Sequence, residues 1–322
     1  MADYKDIKGG TVQNFAGDPP APINGQLWYD STAIAFQYYS SNPTGAWAAG
    51  NNINTARRQA AAAGIQTSAL IFGGYSDAKQ DITESYNGST WTEVADLNVA
   101  KSLLSSAGAT NTAALSFGGV IPPNAAGATT ELWNGTSWTE VNDLNTARRS
   151  TPGAGTSTAA LHIGGGPPAA DEVELYNGTS RAAQSDLNTG RWVNATAGIS
   201  TSALNFGGEP GSGYTAATES YNGSTWTEVA DLNTDRSGLG GCGANNTAAL
   251  AFGGSDGSTL GVHEKWNGTS WAEVADLNTA RNSVQGAGTT AAGLAASGYV
   301  TAASASTEEW NEPVTATETI TD

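Results

Sequence analysis

Charged side chains recur at fixed intervals along the chain, and their spacing makes them the first candidates for chemistry. A glutamate lies two residues before an aromatic residue six times, at Glu84, Glu131, Glu174, Glu219, Glu264 and Glu308. A basic residue recurs with the same period, at Arg57, Lys101, Arg148, Arg191, Arg236 and Arg281. The two sets predict six structural Glu–Arg/Lys pairs that tie strands together. A cation-binding ring of carboxylates stays open as the alternative, although nearby basic residues already compensate the charge.

Residues suited to catalysis are few. His162 and His263 are the only histidines and fall in different repeats, so no Ser-His-Asp set can be assembled. Cys242, the only cysteine, lies among glycines and is expected to be a small buried residue rather than a nucleophile. A glycan-cleaving enzyme needs two carboxylates in one pocket, and six equivalent glutamates are a poor source of such a pair. The sequence therefore predicts no enzyme, no cofactor and no metal site.

Composition restricts the partners. The net charge is −17 with only 13 Lys and Arg residues, which disfavours binding to nucleic acid and to anionic membrane surfaces. The N-terminal ten residues are polar, so we expect neither a signal peptide nor a membrane insertion, and we expect synthesis in a cytoplasm.

The elements that must position the charged residues form an internal repeat. Gly73, Gly118, Gly164, Gly207 and Gly253 each begin a Gly-Gly pair, and Ser297-Gly298 is a degenerate sixth copy; their spacings are 45, 46, 43, 46 and 44 residues. The phrase N-T-A-R and its variants recur with a similar period. Two independent anchors therefore indicate six copies of one unit.

Each copy divides into four strand-sized pieces. The first piece holds mostly small residues, the second is apolar and ends in glycines, the third ends in an aromatic residue, and the fourth reads W-T-E-V-A-D-L. Asn-Gly between the third and fourth pieces predicts a hairpin with a type I′ turn. Arg181 replaces the fourth-strand Trp in one copy, which predicts poorer contacts there.

The ends of the repeat region predict how it closes. The last copy supplies three strands and then reaches Asn311-Glu312-Pro313, whereas the segment around Trp47 matches a fourth strand alone. The sequence therefore predicts an all-β fold, a six-bladed β-propeller of four-stranded blades that an N-terminal strand closes. Residues 41–311 are predicted to form this propeller. Residues 1–40 form a separate N-terminal region, and residues 312–322 form either a tail or an extra edge strand.

The repeat contains Gly-Gly, then an aromatic residue and then a Trp, with a period near 45 residues. Over residues 45–311 this pattern resembles the kelch repeat. The resemblance implies a kelch-like propeller. Asn-Gly differs from the turn that is common in kelch repeats.

The N-terminal region resembles a different group. M-A-D-Y-K-D-I-K-G followed by G-Q-L-W-Y-D-S-T is similar to the start of structural proteins of tailed bacteriophages, especially marine ones. The resemblance implies a virion component whose arm and hairpin, with Leu27, Trp28 and Tyr29, dock to other virion proteins. The hairpin is expected to pair residues 26–29 with residues 35–39.

The loops between the second and third strands differ in length and composition, whereas the rest of the repeat agrees. Function on a rigid scaffold is commonly carried by such loops. Tyr75, Asp77, Lys79, Tyr214 and Asp256 are therefore candidate binding residues. Loops that drift without selection are the alternative interpretation.

Three functions follow from these observations. The first is a non-enzymatic virion protein, a tail-fibre or receptor-binding adhesin. Its loop face, the face from which the loops between the second and third strands are expected to project, binds a host surface glycan or protein. The second is a decoration protein of the capsid or tail that contacts other virion proteins, and the third is a glycan-active enzyme. Homo-oligomerisation stays open as a possibility. No heptad pattern supports a coiled-coil stalk, however.

Overall fold

The computed structural model describes residues 12–21, 26–41, 45–312 and 315–319. These residues form strands and connecting loops with no helix, so the all-β fold class is confirmed. They therefore include no helix long and apolar enough to cross a membrane. The chain divides into two compact units, a large one of residues 46–311 and a small one of residues 1–45 and 312–322.

The small unit is a four-stranded sheet in the order β1-β2-β3-β30. Its strands are β1 (Gln13–Phe15), β2 (Leu27–Asp30), β3 (Ala35–Ser41) and β30 (Thr315–Thr319). β2 and β3 form the hairpin that the sequence predicts, and β30 adds a strand beside β3. The C-terminal residues therefore group with the N-terminal region. Residues 1–11 and 22–25 of the predicted arm lie outside the described residues.

The large unit contains six four-stranded sheets, numbered here 1 to 6. Sheet 1 contains β5 (Ala61–Ile65), β6 (Ser68–Phe72), β7 (Thr83–Tyr86) and β8 (Trp91–Val94); sheet 2 contains β9 (Ser105–Thr110), β10 (Ala113–Phe117), β13 (Thr130–Trp133) and β14 (Trp138–Val141). Sheet 3 contains β15 (Gly153–Thr156), β16 (Ala159–Gly165), β17 (Ala170–Tyr176) and β18 (Arg181–Ala183); sheet 4 contains β19 (Ala195–Ile199), β20 (Ser202–Phe206), β21 (Thr218–Tyr221) and β22 (Trp226–Glu228). Sheet 5 contains β23 (Gly240–Asn245), β24 (Ala248–Phe252), β25 (His263–Trp266) and β26 (Trp271–Glu273); sheet 6 contains β27 (Gln285–Gly288), β28 (Ala292–Ala296), β29 (Thr307–Asn311) and β4 (Ala46–Ala49). A two-stranded ribbon, β11 (Val120–Ile121) with β12 (Ala125–Ala126), extends the loop of sheet 2.

All six sheets are antiparallel and follow chain order, except that sheet 6 takes its fourth strand from the start of the large unit. β4 pairs with β29, and Trp47 lies opposite Trp310. The pairing of the Trp47 segment with the last repeat is therefore present as predicted.

The hydrophobic core lies between neighbouring sheets. On the second strand of sheet 1, Leu70 and Phe72 contact sheet 2, whereas Ala69 and Ile71 contact sheet 6. Successive side chains of a strand point to opposite faces of the sheet, so this strand packs against both neighbouring sheets. Six such clusters occur, one for each pair of consecutive sheets and one between sheets 6 and 1.

The Gly-Gly pair allows the backbones of neighbouring sheets to approach closely. Gly73 has φ +62°, and a Cβ atom there would lie 2.8 Å from the carbonyl oxygen of Lys101 in the next repeat. The N–H of Gly74 donates to that same oxygen at 2.8 Å. In each of the six sheets, the equivalent glycine N–H donates to a carbonyl oxygen of the next sheet's repeat. The bond from Gly298 N to Arg57 O joins sheet 6 to sheet 1 in this way. The glycines are therefore required by contact between sheets as well as by the turn.

The Asn-Gly hairpin is present, but its predicted turn type is wrong. The loop between Tyr86 and Trp91 has four residues, and Gly88 has φ +88° whereas Asn87 does not adopt a positive φ. Instead, Asn87 Oδ1 accepts hydrogen bonds from the N–H groups of Ser89 and Thr90 at 2.9 and 2.8 Å. A side chain that caps its own loop replaces the type I′ geometry.

Each fourth-strand aromatic residue reaches the preceding sheet. Trp138 Nε1 donates to Thr83 Oγ1 at 3.0 Å, and Trp91 and Trp271 make the same bond to a Thr. Arg181 occupies the corresponding place in sheet 3, where it donates to Thr130 Oγ1 at 2.9 Å and lies over the Phe117 ring. Contact with sheet 2 is thus kept, although Arg181 Nη1 is buried without an acceptor.

Candidate functional site

The periodic charges form six buried ion pairs, one within each repeat. All twelve side chains are at most 5% exposed. The pairs are Arg57–Glu84 (2.8 Å), Lys101–Glu131 (3.0 Å), Arg148–Glu174 (2.6 Å), Arg191–Glu219, Arg236–Glu264 (2.9 Å) and Arg281–Glu308 (2.5 Å).

Each carboxylate also holds the loop that enters its sheet. In sheet 1, Glu84 Oε2 accepts hydrogen bonds from the backbone N–H and the side-chain Nδ2 of Asn54, at 2.6 and 2.8 Å. The backbone N–H of the equivalent Asn donates to the glutamate in all six repeats. The repeated N-T-A-R phrase therefore supplies both the cation and the loop donors. In sheet 1, both oxygen atoms of Glu84 therefore accept hydrogen bonds from this loop and its cation.

Burial lowers the pKa of the basic side chain in the pairs of sheets 1 and 2. Loss of solvent lowers the pKa of Arg57, and the charge of Glu84 opposes that shift. Loss of solvent likewise lowers the pKa of Lys101, opposed by Glu131. An uncompensated charge at this depth is strongly unfavourable, so each pair is stable only when both members are present.

The histidines and the cysteine lie apart and are buried. Burial lowers the pKa of His263 to about 3, and its Nδ1 accepts a hydrogen bond from Trp47 Nε1 at 3.0 Å. His162 bonds to Thr151 at 2.8 Å, and burial lowers its pKa as well. Burial raises the pKa of Cys242 to about 12, so its thiolate is disfavoured. Within the described residues, no three His, Cys, Asp or Glu side chains converge as metal ligands.

The first strands line a narrow cavity. It measures about 200 Å³ and is bordered by residues of β5, β9, β15, β19, β23 and β27, most of them Ala, Gly, Ser or Thr. Each of these strands contacts the first strand of the next sheet, and β27 contacts β5. Small side chains are therefore required here by the close approach of six strands.

A belt of backbone hydrogen bonds lies where the chain enters these strands. Gln59, Leu103, Ser150, Val193 and Ser283 all have φ between +52° and +56°, an uncommon conformation for residues with a Cβ atom. Leu103 N donates to Gln59 O at 2.9 Å, and the same bond continues through Ser150, Val193, Gly238 and Ser283. In five of the six repeats, the residue that precedes the member of this belt forms a backbone bridge with the loop that follows the Gly-Gly or Ser-Gly pair, as Arg58 does with Tyr75.

The candidate binding residues lie on three separate loops. Tyr75, Asp77 and Lys79 share the loop of sheet 1, Tyr214 lies on the loop of sheet 4, and Asp256 lies on that of sheet 5. Asp77, Tyr214 and Asp256 are exposed, whereas Tyr75 and Lys79 are half-buried.

Two of these residues make contacts that define a local role. Lys79 Nζ donates to Pro123 O and to Asn124 Oδ1, at 3.0 and 2.8 Å, which links the loops of sheets 1 and 2. Asp256 Oδ1 accepts a hydrogen bond from Ser258 N and shapes its own loop. Lys79 therefore joins two loops and Asp256 stabilises its own, while the role of the five residues in binding stays a prediction.

Sequence reasoning missed a cluster around Arg58. Its guanidinium carbon lies 4.6 Å from the centre of the Tyr299 ring and 5.5 Å from that of Tyr75. Arg58 directly follows the periodic Arg57, and each Tyr directly follows a Gly-Gly or Ser-Gly pair. Aligning the residue after each anchor could have found the cluster, since only the repeats of sheets 1 and 6 have Tyr there.

The predicted docking residues lie on opposite faces of β2. Trp28 is fully buried, whereas Leu27 and Tyr29 are half-buried. The Tyr29 ring meets the exposed Phe36 ring edge to face at 5.4 Å. Among the three residues, Leu27 and Tyr29 are accessible for docking and Trp28 is not.

Comparison of the chain with models of protein families, and with curated protein sequences, finds no match. The likeness to kelch repeats and to bacteriophage proteins therefore rests on the residues quoted above.

Proposed function

We propose that sheets 1 to 6 are the blades of a closed, kelch-like β-propeller, with β4 completing the last blade. Three kinds of contact support this arrangement, because each also joins sheet 6 to sheet 1. They are the shared hydrophobic clusters, the glycine N–H to carbonyl bonds, and the contacts between first strands. Closure would leave no blade with an unpartnered face.

We propose further that the chain is a non-enzymatic virion structural protein of a tailed bacteriophage, a tail-fibre or receptor-binding adhesin. One observation carries this proposal: the ion pairs and glycines recur in nearly identical form, whereas the adjoining loops differ in every sheet. A scaffold of fixed residues that presents varied loops suits recognition. The loop face would bind a host surface glycan or protein.

The small unit would attach the propeller to other virion proteins. Its start carries the G-Q-L-W-Y likeness to bacteriophage structural proteins. The exposed Phe36, beside Tyr29, and the exposed Ile34 supply apolar surface for such docking. A virion location follows from this proposal.

The experiment that tests the function is to locate the protein on assembled particles with a labelled antibody raised against residues 45–311. Label at the distal end of the tail is the expected result. Label spread over the capsid would instead assign a decoration role, and particles without label would overturn the virion proposal.

A further inference from the structure

We propose that Arg58, held between Tyr75 and Tyr299, binds the carboxylate of an acidic sugar. The inference rests on the proposed function, because it names the class of ligand that the loop face would recognise. It is carried by the contacts of Arg58 with the two rings and by its lack of an acidic partner.

The cluster is built where two loops meet. Arg58 and Tyr75 exchange backbone hydrogen bonds of 2.9 and 2.8 Å, which fixes Arg58 beside the loop of sheet 1. The N–H of Arg57 donates to Ser304 O, so the loop of sheet 6, which carries Tyr299, lies on the other side. All three side chains are half-buried and accessible to a ligand.

Among the described arginines, Arg58, Arg149 and the buried Arg181 have no acidic partner, but only Arg58 is both half-exposed and in contact with two aromatic rings. Six basic residues are buried against glutamates, Arg181 is buried between sheets, and Lys79 is bonded to a neighbouring loop. Across the described part of the chain, no carboxylate lies within ion-pair distance of Arg58. A cation without an acidic partner, in a chain of net charge −17, is available to an incoming anion.

The stacking geometry selects the kind of anion. Aromatic rings contact the flat face of a guanidinium, whereas its N–H donors point outward in the plane. Those donors match the two oxygens of a carboxylate. The tyrosine rings offer apolar surface beside the cation, which suits the C–H face of a sugar. The net charge disfavours a polyanion, so a sugar that carries one carboxylate fits better than nucleic acid.

Arg149 provides a matched control. It occupies the equivalent position in the repeat of sheet 3, directly after the periodic Arg148, and it is also half-buried. The described residues place no aromatic ring against its guanidinium. If any half-exposed arginine of this face sufficed, Arg58 and Arg149 would contribute equally.

The test is a titration of the purified chain with glucuronate, followed by ligand-observed NMR, with glucose and acetate as the other two probes. Glucuronate is expected to bind, glucose to bind at least about tenfold more weakly, and Arg58→Gln to weaken glucuronate at least about tenfold. Arg149→Gln is expected to leave binding unchanged. Acetate separates the carboxylate alone from the sugar, and it is expected to bind more weakly than glucuronate.

Equal binding by Arg58→Gln and the wild-type chain would overturn the inference, and so would an equal loss in Arg149→Gln. Acetate that matched glucuronate would remove the sugar from the proposal. Particle labelling decides the proposed function separately. A chain that binds glucuronate through Arg58 but is absent from particles would keep this site while the virion role failed.

Discussion

The interior of the sheets and the face that carries the loops use the same residue type in opposite ways. Arg57 is fully buried and bonded to Glu84, whereas the next residue, Arg58, lies half-exposed between two tyrosine rings without an acidic partner. The position of Arg57 is basic in all six repeats, but the position of Arg58 holds Arg, Ser, Trp or Asn. If Arg58 binds a ligand as proposed, stability and recognition are separated by one residue along the chain.

The largest loss of stability is expected when one charge is removed from a buried pair. Glu219→Gln leaves Arg191 buried without its counter-charge, and we expect it to lower the free energy of unfolding by about 3–5 kcal/mol. Denaturant unfolding measures this loss, which should be the same with and without Ca²⁺. A loss that appeared only with Ca²⁺ present would favour the cation-binding interpretation.

Glu228→Gln is the matched control for that substitution. Glu228 lies directly opposite Glu219 on the neighbouring strand but is exposed. We expect a change within about 0.5 kcal/mol. Equal losses in the two variants would contradict the assignment of stability to the buried pair.

Acid should weaken the interior through His263. Burial lowers its pKa to about 3 from an ordinary 6.5, so the unfolded chain takes up the proton first as the pH falls. Stability from this residue is complete above pH 6.5 and is lost as the pH falls toward 3, by about 2 kcal/mol at pH 5.

His263→Thr tests this effect, because Thr83, Thr130, Thr218 and Thr307 occupy the equivalent position in other sheets. Trp47 can then donate to a hydroxyl, as Trp138 does to Thr83. We expect the fall in unfolding free energy between pH 7 and pH 5 to be about 2 kcal/mol smaller in the variant. Identical pH profiles would refute the buried neutral histidine.

The smallest expected change in stability concerns the contact between sheets 3 and 4. Val173 stands where four other sheets have Thr, and the buried Trp226 Nε1 in its cluster has no acceptor. Val173→Thr would supply one and is expected to raise the unfolding free energy by about 1 kcal/mol. The reverse change, Thr218→Val, removes the acceptor of Trp271 and should cost about 1–3 kcal/mol. Destabilisation by Val173→Thr would contradict the unpaired donor.

The sequence predicts much of the scaffold because repetition exposes it. The second strands are identified by alternating residues such as Leu70 and Phe72, and the partner of Trp47 by the missing strand of the last repeat. The turn at Asn87 was mispredicted, because Asn-Gly fits two hairpin loops and only the side-chain bond distinguishes them. The Arg58 cluster was missed, because its three residues come from both ends of the repeat region and meet only when sheets 1 and 6 are adjacent.

The most direct test of the separation between scaffold and loop face is to measure unfolding and glucuronate binding in Arg57→Gln and Arg58→Gln side by side. We expect Arg57→Gln to lose about 3–5 kcal/mol of stability, because Glu84 stays buried without its partner. Arg58→Gln should lose about 1 kcal/mol or less and yet weaken the binding of glucuronate at least about tenfold. Equal destabilisation by the two variants, or an Arg57→Gln protein as stable as the wild type, would contradict the account.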